Sequence, residues 1–191
     1  MKNRKWKELN SEVVLDAPFF KLRKGDYQRP DGSIVKDYYL IEKPSHVHII
    51  ALKDDGKVVL IRHYRPGTEE ISIELPAGYI REGEVPEAAS QRELAEETGY
   101  KAGNFLELCN FSQDTSRIIG YTGHFFLARS LTQVKIGELT GDSREEAAEI
   151  EGTVGISFEK AIRMVKKGEI KDVITIAGLL LAQRFLSSAA L

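Results

Sequence analysis

From residue 78 to residue 100 the chain reads Gly78-Tyr79-Ile80-Arg81-Glu82-Gly83-Glu84-Val85-Pro86-Glu87-Ala88-Ala89-Ser90-Gln91-Arg92-Glu93-Leu94-Ala95-Glu96-Glu97-Thr98-Gly99-Tyr100. Its second half is predicted to be a helix. Pro86 suits a first-turn position, where its missing N–H leaves nothing unpaired, Glu87 favours the positive N-terminal end, and Gly99 is a natural stop. At about 100° of rotation per residue, Glu93, Glu96 and Glu97 fall within an arc of about 100°, with Ala88, Leu94 and Ala95 opposite. One face is therefore expected to bury while three carboxylates gather on the other. Like charges at such spacings cost an isolated helix about 0.2–0.5 kcal/mol per pair, and only Arg92 stands near enough to offset them. Oxygen-rich clusters of this kind suit hard divalent cations such as Mg2+ or Mn2+. Taken alone, three glutamates on a helix also describe an ordinary solvated face. Upstream, Leu75-Pro76-Ala77-Gly78 reads as a loop delivering the helix, with Gly78 permitting positive φ or a close backbone approach. Glu84 and Arg92 are spaced to pair and close that loop onto the helix.

Strands are expected on both sides of this stretch. Phe19–Gln28 and Ser33–Glu42 flank the turn signal Arg29-Pro30-Asp31-Gly32, so residues 1–45 read as an antiparallel β-meander ending at Pro44-Ser45. Val47–Leu52 and Lys57–His63, joined by Asp54-Asp55-Gly56, read as a hairpin, and Ile71–Leu75 as a short strand. Beyond Gly99 come strand patterns at Phe105–Phe111, Tyr121–Ala128 and Gly152–Ile156. A helix follows over Phe158–Lys167, with Ser157 as N-cap and Gly168 after its end, then a last helix over about 171–186. The class is α+β, a mixed α/β/α sandwich with helices covering a central mixed sheet behind the meander. Two domains are expected, 1–45 and 46–191.

Composition sets the outer limits. The chain has 191 residues, 42% hydrophobic and 29% charged, which fits a globular protein and argues against disorder. Lys+Arg is 27 against 29 Asp+Glu, a formal net charge of −2 that leaves no cationic surplus for nucleic acid. The single cysteine, Cys109, forms no internal disulfide and reads as a small core residue in a reducing compartment. The basic start Met1-Lys2-Asn3-Arg4-Lys5 leads into no apolar region, and the apolar run 173–182 is too short for a bilayer. The cytoplasm, with no membrane association, is the expected setting.

The run Gly78 to Tyr100 resembles the Nudix box: Gly, five residues, Glu, seven residues, Arg-Glu, an apolar residue, any residue, Glu-Glu, any residue, Gly, then an apolar or aromatic residue. Gly78, Glu84, Arg92, Glu93, Leu94, Glu96, Glu97, Gly99 and Tyr100 all fit it. The resemblance extends through Val59-Leu60-Ile61-Arg62-His63-Tyr64-Arg65-Pro66, Glu74-Leu75-Pro76-Ala77-Gly78 and the tail Gly168-Glu169-Ile170-Lys171-Asp172 to the branch that hydrolyses ADP-ribose and nucleoside diphosphate sugars. It implies a Nudix-type fold and cleavage of a pyrophosphate bond with Mg2+, for which Mn2+ substitutes. It also implies a metal site of Glu93 and Glu97, with Glu96 contributing both there and to catalysis and with the Ala77 carbonyl completing it. The general base in that branch comes from a loop before the last strand, which here points to Glu146, with Glu149 next. The resemblance further implies a homodimer with exchanged N-terminal strands.

Arg62 and Arg65, ahead of the box, are candidates to hold a substrate phosphate, with surface pairing as their ordinary alternative. Tyr27, Tyr38 and Tyr39 read as core or interface, or as a platform for a base, with Tyr27 the substrate-binding candidate. His46, His48, His63 and His124 read as packing or partly exposed side chains, since nothing nearby completes a zinc site. The sequence departs from the ADP-ribose-specific pattern in one respect: the loop Phe111–Arg117 lacks a proline. ADP-ribose, split to AMP and ribose 5-phosphate, remains the leading substrate, with GDP-mannose or another nucleotide sugar as the alternative. A non-catalytic nucleotide-sensing module is the reading from another class.

Overall fold

The computed structural model describes residues 5–134 and 150–188. In chain order the strands are β1 Lys7–Ala17, β2 Phe20–Gln28, β3 Ile34–Glu42, β4 His46–Leu52, β5 Lys57–Arg65, β6 Glu70–Glu74, β7 Ala77–Tyr79, β8 Tyr100–Phe111, β9 Ile118–Ile119, β10 Gly123–Gln133 and β11 Ile150–Ser157. The helices are α1 Pro86–Thr98, α2 Phe158–Lys167 and α3 Val173–Ser188. They divide into two compact units.

The first unit holds the chain up to Ser45 together with Phe111–Thr122. Its sheet runs β1-β2-β3-β9, the first three antiparallel and β9 parallel to β3. The β2–β3 turn forms because Asp31 accepts the Ser33 N–H at 2.9 Å and Gly32 takes φ +86°, a value costly for a residue with Cβ. The excursion 111–122 returns to this sheet through Ile41 N–H to Arg117 O at 2.7 Å. A two-residue strand has too little periodicity to be seen in sequence, so this return went unpredicted.

The second unit holds His46–Asn110 and the chain from Gly123 onward. Its sheet has the order β11-β5-β4-β10-β8, with β6 added to β5 and β7 to β4. The pairing of β4 with β10 is parallel and in register from His46↔Gly123 to Ala51↔Ala128, while β5 pairs β4, β6 and β11 antiparallel. Five consecutive residues of β4, Val47 to Ala51, are buried, as expected of a strand covered on both faces. One face carries Val47, Ile49, Ala51, Val59, Phe126 and Ala128 against Ala89 and Leu94 of α1. Toward α3, a Cβ on Gly178 would stand 2.7 Å from Leu75 and 2.8 Å from Phe125, so the helix lies close on the sheet. The class is α+β, a mixed sheet between helices. Among the described residues no helix is long and apolar enough to cross a membrane.

Two local expectations need correction. The predicted loop at 77–78 is strand β7, because Ala77–Tyr79 pairs antiparallel with His46–His48. Cys109 is only half buried, because β8 forms the sheet's edge.

Candidate active site

Three elements build the site: β7, the turn from Ile80 to Val85, and α1. Helix α1 begins with Pro86 and ends at Gly99, whose φ of +70° turns the chain and lets its N–H reach Ala95 O at 2.9 Å. Its buried residues are Ala89, Ser90, Glu93, Leu94 and Ala95, whereas Ala88 is exposed. The expected split between an apolar face and a carboxylate face therefore gives way. Strand β7 covers the acidic side of the helix as the core covers the other.

That cover sets Glu93 and Glu97 against β7. A Cβ on Gly78 would lie 2.1 Å from Cδ of Glu93, so the Glu93 carboxylate rests directly on the Gly78 backbone. Close approach, not positive φ, is what requires glycine there. Glu97 accepts the Ala77 N–H at 2.9 Å, which ties the helix to the strand whose carbonyl was the expected fourth ligand. The Glu96 side chain is only 7% exposed, and its Oε1 makes no hydrogen bond.

Arg92 organises these acids. Its Nε and Nη2 donate to Glu84 at 2.9 and 2.8 Å, Nη2 also donates to Tyr79 O at 2.9 Å, and Nη1 reaches Glu93 and, at 3.3 Å, Glu96. The hydrogen bonds that Arg92 donates to Glu84, and after them the one to Glu93, raise the Arg92 pKa further despite partial burial. Arg92 in turn holds the Glu84 carboxyl below its ordinary value. The expected Glu84–Arg92 pair is thus present, and it clamps the turn to the helix.

Among the described residues no three His, Cys, Asp or Glu side chains are so arranged as to hold a metal ion. Glu93 and Glu96 are instead paired with Arg92. In kind, the donor set fits a hard divalent cation: carboxylate oxygens, one of them buried without a hydrogen bond.

The remaining predicted residues lie elsewhere. Arg65, at the end of β5, donates two hydrogen bonds to Glu74 across the β5–β6 hairpin, one of 2.9 Å. Burial would push the Glu74 carboxyl up, but the Arg65 hydrogen bond and charge outweigh it and hold it below its usual value. Glu97 and Asp172 also act on Arg65 by charge. Arg65, Glu74, Glu169, Lys171 and Asp172 line a groove of about 410 Å³. Arg62 pairs with Glu151 at 3.3 Å on the exposed side of β5. Tyr27 belongs to the first unit, where its hydroxyl donates to Glu8 at 3.0 Å and its ring meets Tyr38 edge-on at 5.6 Å. His48 and His63 are buried, and His46 packs edge-on against Tyr79 at 4.0 Å. Glu146 and Glu149 lie outside the described residues. Sequence reasoning missed Arg81, whose Nη2 stands 3.9 Å from Glu96 Oε1; the available signal was a cation in the turn of an acidic segment.

A short strand, a clamped turn and a glutamate-bearing helix define a class. Residues 42–174 match the NUDIX domain, and the chain belongs to that family, whose members are hydrolases dependent on a divalent metal ion. It is 29% identical to the ADP-ribose pyrophosphatase of Bacillus subtilis over 92% of this chain and 91% of that protein. It is 30% identical to the GDP-mannose pyrophosphatase of Klebsiella pneumoniae over 84% of this chain and 83% of that protein. A crystal structure of an ADP compounds hydrolase shares the fold, with a TM-score of 0.81 over 97% of this chain and 96% of the other at 23% identity.

Proposed function

We propose that this chain hydrolyses the pyrophosphate bond of a nucleoside diphosphate sugar, with ADP-ribose as first substrate, water adding to yield AMP and ribose 5-phosphate. The observation that carries the reading is the placement of Glu93 and Glu97 of α1 against β7, with Arg92 joining Glu93 to Glu96. Glu93, Glu96, Glu97 and the Ala77 carbonyl would hold Mg2+, with Mn2+ able to substitute. When bound, the ion supplies positive charge against the diphosphate and Lewis acidity at the scissile bond. Arg92 sets the orientation of Glu93 and Glu96 and keeps the turn closed. Glu146, with Glu149 as the second candidate, is proposed as the general base.

Arg65 and Arg62 are the proposed phosphate contacts, and each would exchange its carboxylate partner, Glu74 or Glu151, for the substrate. Tyr27 is proposed to contact the substrate's base within a ring cluster that includes Trp6 and Tyr38. GDP-mannose is the second reading, favoured by the missing loop proline and by the Klebsiella relative.

A homodimer that uses the N-terminal strands is part of this proposal. Strand β1 is a sheet edge 11 residues long on which Leu9, Val13, Val14 and Leu15 are exposed, the kind of edge that a partner covers. The domain division at residue 45 and a reducing, cytoplasmic setting complete the reading. Incubation with Mg2+ and a panel of ADP-ribose, GDP-mannose, UDP-glucose, NADH, diadenosine polyphosphates and oxidised dNTPs tests it. Chromatography should show AMP and ribose 5-phosphate first, and absence of cleavage of every nucleotide sugar refutes it.

A further inference from the structure

Arg81 lies in the turn between β7 and α1, and its backbone is pinned there. Its N–H donates to Glu84 Oε2 at 3.0 Å, and its carbonyl accepts the Glu84 N–H at 3.0 Å. Glu84 is itself clamped by Arg92. The side chain differs from the backbone: it is 54% exposed, and its guanidinium makes no hydrogen bond among the described residues. Its Nη2 stands 3.9 Å from Oε1 of Glu96, beyond hydrogen-bond reach, so the contact is purely Coulombic.

Glu96 has one oxygen committed and one that is not. Oε2 accepts from Arg92 Nη1 at 3.3 Å, whereas Oε1 is buried with no hydrogen bond. A buried carboxylate oxygen without a donor is unfavourable unless positive charge stands close by. Arg92 is already divided among Glu84, Glu93 and Glu96. Arg81 supplies the missing charge, from a side chain that no hydrogen bond holds in place.

We infer that Arg81 is a resident stand-in for the divalent cation: it neutralises Glu96 while the site is metal-free and withdraws when the ion takes that oxygen. Arg81 is thus a positioning residue that sets how tightly the site takes metal. The inference rests on the reading of Glu96 as a ligand.

The test is Mn2+ binding to the purified protein without substrate, followed by the electron paramagnetic resonance of free Mn2+. Arg81→Gln should bind Mn2+ about three- to tenfold more tightly than the parent at low salt, the size expected of one half-exposed charge acting on a double charge. The gap should narrow at high salt. Arg81→Lys keeps the charge and should bind as the parent does. Equal or weaker binding by Arg81→Gln, with its thermal transition intact, overturns the inference alone. Absence of Mn2+ binding by parent and variants overturns the metal reading and the inference together.

Discussion

Replacing Gly78 by alanine tests the site at its tightest point. The added Cβ would stand 2.1 Å from Cδ of Glu93 and 2.2 and 2.4 Å from its two oxygens, where a normal contact needs at least 3.0 Å. The shortfall is 3.0 − 2.1, or 0.9 Å. The backbone at 78 cannot yield easily, because β7 is paired with β4 at Val47↔Gly78 and its neighbour Ala77 is bonded to Glu97. Glu93 must therefore move. The atoms that the Cβ meets are the far end of a flexible side chain that can swing aside, so the cost to the fold is small, about 1 kcal/mol or less, a fall of at most about 4 °C in melting temperature. The effect on turnover should be larger, since metal ligation tolerates errors of only about 0.2 Å and a misplacement of about 1 Å costs about a hundredfold in rate. The assay is steady-state hydrolysis of the best nucleotide sugar beside a thermal melt. Gly67→Ala serves as the control, because a Cβ there meets nothing within 4 Å. Turnover of Gly78→Ala equal to that of Gly67→Ala would refute the placement of Glu93 on Gly78.

Glu97→Gln keeps an oxygen to accept the Ala77 N–H, so the fold should persist while turnover falls by at least about a hundredfold; near-parental turnover with an unchanged circular dichroism spectrum would exclude a ligand role. Mg2+ at about a hundred times its dissociation constant should add about 2.7 kcal/mol of stability, a rise of about 5–11 °C in melting temperature that EDTA reverses. A melting temperature indifferent to both would reduce the cluster to a structural network. The Glu84 carboxyl is held below its ordinary value by the hydrogen bond from Arg92, so its contribution is complete above the unfolded value of about 4.3 and fades as pH falls through the lower folded value. The stability gap between the parent and Glu84→Gln should accordingly close below about pH 4, and a gap constant from pH 7 to pH 3 would count against the pair.

Much of this arrangement was legible in residue spacing. Pro86, Glu87 and Gly99 bound α1 because caps and breakers act within a turn or two of themselves, and the helix indeed spans Pro86–Thr98. The hairpin turn at Asp31-Gly32, the Ser157 cap of α2 and the Gly168 stop are equally local, and all are present. The Glu84–Arg92 pair was legible because a helix and one tight turn fix their separation. Strand β7 was not legible: three residues carry no periodicity, and only the partner strand at 46–48 makes them a strand.

What the sequence alone determined is the donor inventory: which acids share a helix face, which glycine precedes them and which arginine stands among them. These follow from rotation per residue and from residue chemistry, and need no distant partner. What only the tertiary structure decided is how each donor is engaged. It seats Glu93 on Gly78, commits Arg65 to Glu74 and leaves Glu96 Oε1 facing Arg81. It also buries the acidic face that the helical wheel left open to solvent. Each of these depends on a second element arriving from elsewhere in the chain, and a contact between elements is written in no local pattern.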